Sequence, residues 1–153
     1  MINLSLEEAL MKEGFIITSF KGTSMNPLFL EGRDKVYIVK KTSKLKRGDV
    51  ALYKRSSGLN VLHRVYKTLG NTYVFWGDNQ FQLEYGVKDE DVLGVCKGYY
   101  NGEKYISFKK SLKYKIYKAF WCKWVWLRKF LNLFRRAKNK LKRIFSNKNK
   151  KSS

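Results

Sequence analysis

The chain has 153 residues, 44% hydrophobic and 16% aromatic, with 33 Lys and Arg against 12 Asp and Glu and a formal charge of +21. That apolar content is enough for one packed domain and excludes global disorder. The charge is unevenly placed: residues 109–153 hold 17 of the basic residues and no acid, leaving 16 basic and 12 acidic residues, a net of +4, in residues 1–108. The sequence is therefore an ordinary globular body followed by a cationic tail. With one histidine, and with Cys96 and Cys122 isolated from each other, no metal-ligand spacing is present, and neither a metal nor a cofactor is expected.

Ser5 followed by "LEEALMKEG" predicts a short capped helix: acids sit at its start and Gly14 at its stop, giving an N-terminal helix over 1–14. The period then changes to two. Seven short runs rich in β-branched and aromatic residues predict strands at 15–20, 34–41, 49–55, 60–69, 71–78, 92–100 and 103–108. Gly70-Asn71 and Asn101-Gly102 sit between adjacent runs as hairpin turns. The expected fold class is mainly β, a compact antiparallel domain over 15–108. From Ser111 the spacing becomes helical: Tyr117, Phe120, Trp124, Leu127, Leu131, Phe134, Leu141 and Phe145 recur every three to four residues, with Lys138 interrupting, and basic residues fill the rest. A long basic amphipathic helix is expected over 109–145, with a disordered basic end over 146–153.

The N-terminal stretch has neither the basic start nor the long apolar run of a signal peptide. The longest charge-free tail stretches, "WVWL" and "FLNLF", fall far short of the roughly 20 apolar residues of a membrane span. A cytoplasmic protein with peripheral membrane association is the expectation.

Three weak signals suggest chemistry. "GTSMNP" (22–27) contains the only proline, Pro27, three residues after Ser24, a pattern that also marks a plain turn. The only histidine, His63, lies in the strand run "NVLHRVY", where a lone histidine is more often structural than catalytic. Asp78 lies in "WGDNQ" at a strand end, and Gly-Asp-Asn there also reads as a turn. Together the three supply a nucleophile, a base and an orienting carboxylate.

In order along the chain, "GTSMNP", "LEGRD", "KRGDVALY", "NVLHRVY", "WGDNQ" and "VLGVCKGYY" resemble the sequence boxes of type I signal peptidases and the related LexA-type self-cleaving repressors. The resemblance covers about residues 15 to 100. The histidine before Arg64-Val65 is similar to the endoplasmic-reticulum, archaeal and sporulation-type branch, whose base is histidine where most bacterial members have lysine. The resemblance implies a β domain of signal-peptidase/LexA type and a serine endopeptidase that cuts a leader or signal-like peptide. It assigns Ser24 as nucleophile, His63 as general base and Asp78 as the carboxylate that holds the ring. The Ser24 and Thr23 backbone N–H groups would form the oxyanion hole, since Gly22 stands where some members have a second serine hydroxyl. Met25 and Pro27 would shape the substrate site, with the substrate bound as an extended strand and small residues such as alanine before the cut. A second acid often follows the Gly-Asp-Asn box; here Glu84 is the nearest. The sequence also departs from the family in having no membrane span before the serine.

Two other functions compete: a non-catalytic peptide-binding module of the same fold, and a nucleic-acid-binding protein acting through its tail. A binder has no need to keep Ser24, His63 and Asp78 together. Counterion release favours nucleic acid for so cationic a tail, yet Trp121, Trp124 and Trp126 suit a membrane interface better than a phosphate backbone. The expected partner of the tail is thus an anionic membrane surface, each lysine contributing about 1 kcal/mol, with nucleic acid disfavoured. On that view a chain cut at Lys110 keeps its β domain. The competing arrangement packs the aromatic stripe on the domain itself.

Overall fold

The computed structural model describes residues 5–123. Helix α1 (Leu6–Glu13) forms as its cap predicts: the Glu8 N–H donates to Ser5 Oγ at 3.2 Å and the Ser5 N–H donates to Glu8 Oε2 at 2.7 Å. Gly14 closes it in the left-handed region, its N–H donating to the Leu10 carbonyl.

Eight antiparallel strands among the described residues form one open sheet: β1 (Phe15–Thr18), β2 (Asp34–Lys40), β3 (Val50–Lys54), β4 (Asn60–Leu69), β5 (Thr72–Trp76), β6 (Leu83–Lys88), β7 (Val92–Asn101) and β8 (Lys104–Ser107). Their order is β1-β2-β7-β3-β4-β5-β6, with β8 added to β7. The seven expected strands all form, and both hairpin turns fall where their glycines predicted. The eighth, β6, was not expected. It carries Gly86 in its middle and leaves Tyr85 exposed at the sheet edge, so it lacks the apolar alternation that marks the others.

Strand β7 organises the sheet. Its first half pairs with β3 and its second half with β8, while β2 runs along its other side. Gly98 makes the β8 pairing fit, because a Cβ there would stand 2.5 Å from the Ile106 carbonyl oxygen and 2.6 Å from the Tyr105 hydroxyl. Strand β3 shows why its run "VALY" does not alternate with polar residues. Val50 and Leu52 enter a core built with Met25, Phe29, Ile38 and Leu62, whereas Ala51 and Tyr53 enter a second core with Val65, Tyr73 and Phe75. Both faces of the strand are buried, so neither can be polar.

Helix α2 (Leu112–Lys123) begins the stretch expected to be a membrane-facing tail. Its first turns belong to the β body instead. Tyr114 is buried and stacks on Phe108 with ring centroids 3.7 Å apart, and Trp121 is buried with its indole N–H donating to the Asp78 carbonyl at 3.1 Å. Tyr114, Tyr117 and Trp121 recur at the spacing of one helical face, and that face meets Phe108, Arg64 and Asp78. The remainder of the expected amphipathic helix, with Trp124, Leu127 and Phe134, lies outside the described residues. Among the described residues, no helix is long and apolar enough to cross a membrane.

A cut at Lys110 removes two buried aromatic residues, each of which typically contributes about 3–5 kcal/mol against its deletion. The expected result is that a chain ending at Lys123 unfolds in denaturant with the midpoint of the full chain, while one ending at Lys110 is strongly destabilised. Equal midpoints for the two would detach α2 from the core.

Candidate active site

Ser24 lies at the head of a turn between β1 and β2. Met25, Leu28 and Phe29 anchor this turn by burying their side chains in the core, and the Leu28 and Phe29 N–H groups donate to the Met25 carbonyl at 2.9 and 3.3 Å. The Asn26–Pro27 peptide bond is cis. At the far end, the buried Asp34 accepts from the Leu30 N–H at 2.8 Å, from Arg33 and from Asn101. The turn closes first around the serine itself, the Asn26 N–H donating to the Thr23 carbonyl at 3.1 Å, and Ser24 is half-buried.

The "WGDNQ" segment clamps the serine turn from the other side. The Asn79 N–H donates to the Ser24 carbonyl at 2.7 Å, and its side-chain amide donates to the Thr23 carbonyl at 3.1 Å. Gly77 permits this approach, since a Cβ there would stand 2.8 Å from the Ser24 carbonyl oxygen.

Ser24 and His63 line one cleft of about 520 Å³. Leu6 of α1 and Phe20 contribute to its wall, with Met25, Leu52 and Leu62 supplying apolar surface and Arg55 and Asn79 polar groups. Among the described residues no hydrogen bond closes between the Ser24 and His63 side chains; the His63 ring is bonded to Tyr53 instead. Pro27 is placed elsewhere: it lines a second cavity on the other side of the turn, so it shapes the serine loop without facing the cleft. Met25 is part of both the core and the cleft wall.

His63 is almost wholly buried, its side chain 3% exposed. Its Nδ1 faces the Tyr53 hydroxyl at 3.1 Å, and that hydroxyl donates to Glu84 Oε2 at 2.7 Å. Arg55 grips the same carboxylate with two bonds of 2.7 and 2.6 Å. Burial alone would raise the Glu84 carboxyl, but the Arg55 and Tyr53 hydrogen bonds outweigh it and hold the group below the usual carboxylate range. Glu84 is thus ionised and accepts only. Burial, reinforced by Glu84, pushes the Tyr53 phenol well up, so it keeps its proton. That proton is directed to Glu84, and the Tyr53 oxygen is left to accept from His63. The imidazole therefore carries its proton on Nδ1 and has its lone pair on Nε2. Burial also drives the ring's protonation down to about 4; Glu84, with its Oε2 3.9 Å from Nδ1, opposes this only in part.

Asp78 does not hold His63. Its carboxylate forms a two-pronged ion pair with Arg64 at 2.9 and 2.7 Å and accepts from the Tyr117 hydroxyl at 2.9 Å. Adjacent residues of a strand point to opposite faces, and here His63 and Arg64 do so with separate partners. Arg64 is also buried and reaches the Gly48 carbonyl at 2.9 Å. An arginine cannot shed its charge, so burying it demands a carboxylate. Asp78 meets that demand and acts on the histidine only at a distance. The carboxylate serving His63 is Glu84, through Tyr53. Neither Tyr53 nor Arg55 was singled out from the sequence. Their spacing of two in "YKR", on one side of the strand run, was the signal available.

Among the described residues no group of three or more His, Cys, Asp or Glu side chains is placed to hold a metal ion. No family model matches the chain, and neither a curated protein nor a solved structure matches it.

Asp78→Asn should therefore act first on stability. It leaves a buried guanidinium without its counter-charge, at a cost of about 3–5 kcal/mol in chemical denaturation. Glu84→Gln, at a half-exposed position, should cost far less. The reverse order would restore Asp78 to the histidine.

Proposed function

We propose that the chain is a serine endopeptidase of the signal-peptidase/LexA type, with Ser24 as nucleophile and His63 as general base. The observation that carries this reading is the buried, neutral imidazole beside Ser24 in one cleft, its Nδ1–H bound to Tyr53 and its Nε2 left as a base. Three of the sequence boxes add to it: "GTSMNP" and "LEGRD" form the turn that carries Ser24, and "WGDNQ" clamps it. The mainly β architecture is compatible with that fold type.

In the proposed reaction the substrate lies extended in the cleft. The Ser24 hydroxyl attacks a peptide carbonyl while Nε2 of His63 takes its proton. The Thr23 and Ser24 backbone N–H groups face the oxyanion. The imidazolium so formed is stabilised by the Tyr53 oxygen and, behind it, by the Glu84 carboxylate. His63 then passes the proton to the leaving amine, and water repeats the sequence on the Ser24 ester to release the acid product. The apolar wall from Met25, Leu52 and Leu62 suits small uncharged side chains beside the scissile bond.

A proteome-derived peptide library, read by mass spectrometry, tests this. Wild-type protein should cut after small residues, and Ser24→Ala should not cut at all. His63→Ala should lose at least the 10²–10⁴-fold that acid–base catalysis supplies. Only the neutral ring accepts a proton, so kcat/KM on any peptide found should fall as pH drops through about 4 and stay level from 5 to 8 on the acid side. Cleavage that persists in Ser24→Ala would overturn the assignment.

A further inference from the structure

A second cavity among the described residues is larger than the cleft. It measures about 1060 Å³ and lies behind the serine turn, between that turn, the β7–β8 hairpin and the start of α2. Its wall is aromatic and aliphatic, from Leu30, Tyr99, Tyr105, Ile106, Tyr114 and Tyr117. Its cations are Lys104 on the hairpin and Lys110 and Lys113 at the start of α2, whereas Arg33 beyond the serine turn is already paired with Asp34 at 2.8 Å; no acidic residue lines the cavity. An apolar trough beside a one-signed cluster of charge suits a ligand with an apolar body and an anionic head.

The chain's own tail is a poor occupant. Residues 124–153 hold 11 Lys and Arg and no acid, so the tail would bring like charge to a cationic site. We infer that this cavity binds a single anionic phospholipid, its phosphate among Lys104, Lys110 and Lys113 and an acyl chain along Tyr105, Ile106 and Leu30. This differs from diffuse attraction of a basic tail to a charged surface, because it needs both parts of one molecule. Its location gives it a consequence. Pro27 and Leu28 line this cavity while Ser24 and Met25 of the same turn line the cleft, and Tyr117 of its wall holds Asp78. The site stands whether or not the cleft is catalytic.

The experiment is titration of the full chain with dihexanoyl phosphatidylglycerol below its micellar concentration, followed by calorimetry. Dihexanoyl phosphatidylcholine and glycerol 3-phosphate are the comparison probes. Phosphatidylglycerol should bind saturably and at least tenfold more tightly than either. The double variant Lys104→Glu, Lys113→Glu should weaken it at least tenfold, as should Ile106→Asp, with each variant's fold checked by circular dichroism. Ser24→Ala should bind as wild type. Equal binding of phosphatidylcholine would reduce the site to an apolar trough, and equal binding of glycerol 3-phosphate would reduce it to an anion site. Folded variants that bind undiminished would move the lipid to the tail. Each of these three results overturns the proposal.

Discussion

Arg64 is buried on β4 with its charge intact, and much of the molecule is arranged around that fact. Burial by itself works against the guanidinium charge, and the attraction and hydrogen bonds of Asp78 more than reverse it. The pair binds β4 to the segment after β5. The Gly48 carbonyl draws in the turn before β3, while Tyr114 and Tyr117 bring α2 onto the same guanidinium, which lies over both rings at 5.9 and 5.7 Å. Trp121 completes the enclosure from the Asp78 carbonyl. With Asp78 so fixed, its neighbours Gly77 and Asn79 stand where they grip the Ser24 turn. One ion pair thus sets the position of the candidate nucleophile without touching it.

The other side of β4 solves a different problem. A histidine buried to this degree avoids charge by remaining neutral, and a base must be neutral to act. A carboxylate in direct contact would oppose this by favouring the charged ring. Interposing the Tyr53 hydroxyl keeps Glu84 at 3.9 Å, close enough to favour a transient imidazolium and too weakly coupled to create one at rest. Arg55 moderates Glu84 further by neutralising it. The arrangement fixes the tautomer with an uncharged partner and places the charge one bond behind.

Much of this fold could be read from local chemistry. The Ser5–Glu8 box and Gly14 define α1 because capping involves residues three or four apart, and glycine turns set the hairpins for the same reason. Strand β6 escaped because an edge strand with Gly86 inside it buries little on either face. The serine turn and His63 were identifiable as candidates, but the partner of His63 was not. "His-Arg" presents two side chains to two faces, and the sequence does not say which one Asp78 approaches. The rule that a buried arginine requires a carboxylate would have decided it, had the burial of Arg64 been known. Tyr114 and Trp121 were similarly ambiguous, since an apolar stripe on a basic helix fits a lipid surface and a protein core equally well.

The proposed chemistry rests on His63 being buried and neutral, with its proton on Nδ1 and held by Tyr53. Nitrogen-15 NMR of the labelled imidazole tests it most directly, because the two ring nitrogens report tautomer and protonation separately. An Nδ1–H resonance with an unprotonated Nε2 is expected across neutral pH, with titration only near pH 4. In Tyr53→Phe the tautomer preference should weaken. A ring that titrates near 6.5, or that carries its proton on Nε2, would contradict it.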